Sequence, residues 1–204
     1  MYTPNRLKIN ELSDKHDFIE EFGFGLIVSG SLTGTHLPFV LHRNEGDQGV
    51  LYAHCAKANP HWKELDNAEV LIVFTGPHSY ISPSWYAKAP GVPTWNYAAV
   101  HAYGVVALLN RDDTLSAVEE VVHKYEPALL ENRNIVTNEY RDKLLAAIVG
   151  FKIELTSIEG KIKLGQQRSK EDQQGVYKAL SGSSDLEQKA LANYMQRLGV
   201  GLGL

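Results

Sequence analysis

A chain of 204 residues, 44% hydrophobic and 22% charged, is long enough to bury one substantial core without disulfides. A formal net charge of −4 argues against a general nucleic-acid binder, which carries a basic excess or stripe, and the lone Cys55 excludes an intrachain disulfide. No apolar run approaches the ~20 residues of a membrane-spanning helix and the first residues carry no charged-then-apolar leader pattern, so the expectation is a cytoplasmic protein with no membrane partner.

In chain order, residues 11–22 predict a short helix with Leu12, Phe18, Ile19 and Phe22 on its apolar side. Residues 23–30 alternate as a strand through Phe24, Leu26 and Val28, and the Ser and Gly clusters after them mark a turn. Residues 35–42 predict a second strand and 50–54 a third, spaced tightly enough for an antiparallel meander. A helical turn is expected over 59–65 and an apolar strand over 69–75, ended by Gly76 and Pro77. Helical spacing recurs over 114–125 and 137–148; Phe151, Ile153 and Leu155 alternate as a strand that bends at Glu159-Gly160 and continues through Ile162 and Leu164. Ser169 with Asp172, and Ser184 with Glu187, read as helix starts. The closing Gly-Val-Gly-Leu-Gly-Leu is not helical in character.

Residues 76–104 stand apart. Four of the eight prolines fall here, which rules out a long helix, together with two of the three tryptophans and four of the ten tyrosines. From Trp95 the character is extended. Alternation puts Trp95, Tyr97, Ala99, His101 and Tyr103 on one face, and Asn96, Ala98, Val100, Ala102, Gly104 and Val106 on the other. The small face suits a tight core; the aromatic face is left for a ligand, a second subunit or a covering helix.

This stretch, with T-H-L-P at 35–38, A-K-A-N-P-H-W at 56–62 and K-L-G-Q-Q-R-S-K-E-D at 163–172, closely resembles the PaiB family of FMN-binding split-barrel proteins. The match runs in the family's order along nearly the whole chain. It implies an α+β fold: an antiparallel six-stranded split β-barrel with peripheral helices, the barrel domain spanning 1–165 and a helical extension, 166–204, packed on it in the same globular unit. It also implies an FMN site at a homodimer interface and a role as a negative transcriptional regulator. Gly165 stands where the family commonly has serine, which would remove one polar contact if that serine touched flavin.

FMN asks for cations and N–H donors at its phosphate and apolar or aromatic walls at its ring. Following the resemblance, the loop at 53–62 meets the phosphate, with Lys57 first and His54 second; the alternative for Lys57 is a solvated surface lysine. Thr35, His36 and Leu37 are ring contacts, unless Leu37 is simply core and His36 caps a strand. Trp95 and Asn96 lie where the long strand passes the ring, although a tryptophan is more often core. Arg168, with Gln166 and Ser169 before a helix, reaches a phosphate or pairs with acidic neighbours.

Six of the eight histidines lie between His36 and His101, yet no H-E-x-x-H or paired C-x-x-C spacing supports a metal site, and haem is the other ligand that such a density suggests. Cys55, among apolar neighbours, reads as a buried structural thiol. No catalytic residue is assignable. No helix pair shows a helix-turn-helix pattern with a basic second helix, so DNA is a partner by resemblance without a visible motif. The rival function is a flavin-dependent oxidoreductase acting on a small organic substrate; a third reading is a cofactor-free interaction domain.

Overall fold

The structure is a computed structural model that describes residues 1–132 and 134–204. Eight strands form its sheet: β1 (Lys8–Ile9), β2 (Phe24–Val28), β3 (Gly34–Pro38), β4 (Val40–His42), β5 (Val50–Ala56), β6 (Glu69–Ile81), β7 (Thr94–Leu108) and β8 (Ile148–Lys163). Pairing follows β3-β2-β6-β7-β8-β5-β4, with β1 antiparallel to β8. The helices are α1 (Leu12–Glu21), α2 (Arg111–Tyr125), α3 (Pro127–Glu131), α4 (Asn138–Leu145), α5 (Lys170–Ser181) and α6 (Leu186–Leu198). No helix among the described residues is long and apolar enough to cross a membrane.

The eight strands exceed the expected six because one predicted run divides and a two-residue strand is added at the N-terminus. The run at 35–42 breaks after Pro38, which has no N–H to give a ladder. The N–H of Phe39 turns to the carbonyl of Gly23 at 2.8 Å. Before the break β3 pairs with β2; after it β4 pairs with β5. The strand at 69–75 does not stop at Gly76-Pro77 but continues to Ile81. Its pairing with β2 covers Leu71, Ile72 and Val73, so Pro77 lies beyond that ladder and removes no donor from it.

The chain divides into two compact units. One comprises Glu11–Phe74 and Val100–Ile158. Its core is Ile27, Leu51, Ile72, Val100, Phe151 and Ile153, each fully buried, with Phe39 and Phe74 edge to face at 5.6 Å. Alternation on β5 buries Leu51, Ala53 and Cys55 and leaves Tyr52 and His54 half-buried; burial also pushes the Cys55 thiol up, as a structural role requires. The other unit comprises Met1–Asn10, Thr75–Ala99 and Glu159–Leu204. Its core is Ile81, Ala98, Leu164, Leu180, Leu191 and Met195. The helix starts are capped as side-chain chemistry predicts, with one shift. Ser169 Oγ accepts from the Asp172 N–H at 3.2 Å, but α6 is capped by Asp185, not Ser184; its carboxylate accepts from Glu187 N and Gln188 N.

Candidate functional site

In the unit of Glu11–Phe74 and Val100–Ile158, the A-K-A-N-P-H-W stretch folds back on itself after β5. The Lys57 N–H donates to the Ala147 carbonyl at 2.8 Å, and the Trp62 indole N–H donates to the Lys57 carbonyl at 3.0 Å. Asn59 is the centre of the turn. Its Oδ1 accepts from the His61 N–H at 3.0 Å, capping the short 3-10 turn Pro60–Glu64, and its Nδ2 donates to Thr35 Oγ1 at 3.1 Å. Thr35 Oγ1 also lies 2.8 Å from His61 Nδ1. The motif thus ties its own loop to β3 through three side chains.

His61 is 2% exposed. Its Nε2 has no hydrogen-bond partner among the described residues and sits 3.8 Å from Glu64 Oε1, a charge contact and not a hydrogen bond. The carboxylate favours the tautomer with the proton on Nε2, so Thr35 donates its hydroxyl proton to Nδ1. Burial lowers the His61 pKa, opposed by Glu64. Glu64 is itself held below the usual carboxylate range, first by the hydroxyl of Ser31 and then by Thr33 and Ser29. His54, on β5, is lowered by burial alone, and its Nδ1 is buried without a partner among the described residues. Two imidazole nitrogens, one on β5 and one in the turn after it, are thus buried without a hydrogen-bond partner among the described residues.

Thr35 and the loop of Lys57 are therefore brought together. The Lys57 side chain is exposed and forms no ion pair among the described residues. His36 is exposed on the opposite face of β3, stacked with Phe24 at 6.0 Å. Leu37, on the same face of β3 as Thr35, is 8% exposed and packs with the core of its unit. Asn59, His61 and Glu64 were not among the expected site residues. The signal for Asn59 and His61 was the N-P-H spacing, an Asx cap followed by proline at the first helical position.

The remaining expected residues lie in the other unit. Trp95 is 51% exposed, 5.7 Å from His78. Asn96 and Arg168 share a small pocket with Lys163. A roomier cavity of about 640 Å3 lies in the first unit beside α2, lined by His42, Glu119 and Glu120 among others. Two of its carboxylates are engaged: His42 Nε2 contacts Glu120 at 2.6 Å within the lining, and Glu119 meets Arg141 outside it at 3.6 Å. Tyr52 nearby is pushed up to about 12, by burial first and by Glu45 second. Its lining is not drawn from the loop after β5, and we do not place the cofactor in it.

The model of an FMN-binding domain family matches residues 1–157. The Bacillus subtilis (strain 168) protein named Protease synthase and sporulation protein PAI 2 is 34% identical, over 96% of this chain and 97% of its own length. The chain belongs to the FMN-binding PaiB family. Among solved structures, the flavocytochrome Anf3 from Azotobacter vinelandii has a TM-score of 0.61 at 15% identity, covering 78% of this chain and 70% of its own. A FAD and heme binding protein from Mycobacterium smegmatis has a TM-score of 0.55 at 12% identity, covering 76% and 73%. At those identities the likeness establishes the α+β split-barrel fold of this PaiB-family protein. FMN is its family's cofactor, and the loop after β5 offers chemistry that fits its phosphate: the exposed ammonium of Lys57 forms no ion pair among the described residues.

Proposed function

We propose that this PaiB-family protein holds FMN at the loop after β5, with Lys57 on the phosphate and the Asn59–Thr35–His61 network fixing the adjoining wall. In this reading it works as a homodimer and lowers the expression of other genes. One observation carries the flavin site. Lys57 has its backbone clamped on both sides, by Ala147 and Trp62, while its charged end stays exposed and unpaired among the described residues. A solvated lysine needs no such clamp; a phosphate ligand gains from it, because less entropy is lost on binding. The chemistry that FMN supplies is electron transfer at its ring; the chain supplies the cation, the donors and the walls.

Support for regulation comes from the relative's name, which ties that protein to protease synthesis and sporulation. With a net charge of −4, we place the regulatory contact on a protein partner or on a surface completed by the dimer.

The purified protein is expected to show a flavin absorbance spectrum, or to acquire one on adding FMN. Lys57→Met should weaken FMN by about tenfold or more, the scale of one charge-assisted phosphate contact, and leave riboflavin, which lacks the phosphate, unchanged. Equal losses for both ligands would remove Lys57 from the phosphate. Bleaching of the flavin by NADPH without oxygen would overturn the regulator reading in favour of an oxidoreductase. Unchanged target expression in a host carrying Lys57→Met would separate regulation from flavin.

A further inference from the structure

The unit of Met1–Asn10, Thr75–Ala99 and Glu159–Leu204 contains a partly enclosed pocket of about 60 Å3 whose lining includes Tyr86, Asn96, Lys163, Arg168 and Asp172. That volume admits a few waters or one small oxyanion group, and no tricyclic ring. Asn96 is the polar exception on the small face of β7 and is 2% exposed. Its side-chain amide has no hydrogen bond among the described residues, and it opens on this pocket. Buried amides are ordinarily satisfied, so an amide left free at a polar cavity marks a place for a ligand.

The charges beside it point to the ligand's class. Lys163 Nζ donates to Thr94 Oγ1 and to the Trp95 carbonyl, and has no carboxylate partner among the described residues. Its pKa is lowered by burial first, with Lys161 and Arg168 adding like-charge repulsion. The Arg168 guanidinium lies 4.3 Å from the centre of the Tyr86 ring, again with no ion pair among the described residues. The lining's carboxylate, Asp172, accepts from the Ala87 N–H at 2.9 Å. The first turn of the twelve-residue helix α5 contributes to the wall. Two cations and one carboxylate leave a single positive charge. A phosphate monoester carries about −1.5 to −2 at neutral pH and would face Asp172; a carboxylate carries one charge and matches the planar fork of arginine.

We infer that this pocket is a binding site for the carboxylate of a small organic acid, held by Asn96, Lys163 and Arg168. The site stands independently of the flavin reading. Acetate is the probe, followed through the Asn96 side-chain amide in nitrogen-15 NMR of the full chain, with the resonance identified from Asn96→Asp. The amide is expected to shift saturably with acetate and not with chloride at equal ionic strength. Arg168→Met should weaken acetate by about tenfold, the loss of one charge-assisted pair, and Lys163→Met likewise, with unchanged circular dichroism showing both folded. Lys57→Met should leave acetate binding unaltered. Absence of a saturable shift would overturn the assignment, as would wild-type acetate affinity in both folded variants. Displacement of acetate by stoichiometric FMN, but not by riboflavin, would overturn it too and give the pocket to the flavin phosphate. Failure of FMN to bind at all would leave the acetate result standing.

Discussion

Gly201→Ala is expected to destabilise the protein by about 3 kcal/mol, combining the cost of a left-handed backbone for a residue with Cβ with that of overpacking. Gly201 has φ +76°, and a Cβ there would lie 2.2 Å from the Leu164 carbonyl oxygen and 2.8 Å from Met195 Cε. The methionine end can move; the carbonyl belongs to a backbone whose side chain is fully buried. For a chain of this size the loss corresponds to roughly 6–12 °C in melting temperature. Gly30→Ala is the control. Its φ is ordinary and nothing lies within 4 Å of the added carbon, so its effect should stay within about 0.5 kcal/mol. Leu164 also lines the carboxylate pocket, so the same variant should weaken acetate. A melt indistinguishable from that of the control would show that the tail can shift away from Leu164 without cost.

Stability should fall as pH drops from about 7 toward 5. His54 and His61 have folded pKa values lowered by burial, so the unfolded chain takes up their protons first. Their contribution is complete above the unfolded value of about 6.5 and is lost as pH falls through that value toward the folded one. Each histidine can add at most about 1.4 kcal/mol per pH unit to the slope. Glu64, whose pKa is also lowered, adds loss only further down, below the ordinary carboxylate value. Denaturant melts across this range, on wild type and on His54→Gln and His61→Gln, test the assignment. Each variant should show a shallower slope between pH 7 and 5. Parallel curves for all three proteins would mean that neither imidazole is held neutral by its surroundings.

Local pattern exposed much of this molecule. The small face of β7 is buried as alternation requires, with Ala98, Val100 and Ala102 inaccessible to solvent. Asn96 on that face was visible as a polar residue in an apolar row, and it lines a pocket. What stayed hidden depends on partners distant in sequence. Thr35 is twenty-six residues from His61, and Ser29 and Ser31 are thirty-five and thirty-three from Glu64, so no spacing rule joins them. Pro77 read as a strand end because local chemistry does not say where a neighbouring strand stops pairing. For Leu37, alternation names a face but not what covers it.

The division of the chain sets an order on its synthesis. Three long strands, β6, β7 and β8, each contribute residues to both units. The unit that holds Asn96 draws on the first ten residues, on Thr75–Ala99 and on everything from Glu159 onward. Its early segments leave the ribosome long before the residues that bury them. Ile9 packs against Gly160, and Ile81 shares its core with Leu164 and Leu191. Until Glu159–Leu204 has been made, those segments are apolar surface without a mate, the condition that favours misassociation of nascent chains. The family match ends at residue 157, so a chain cut there would strand them permanently. Synthesis of the segment from Glu159 to Leu204, and not emergence of the matched region alone, completes this half of the protein.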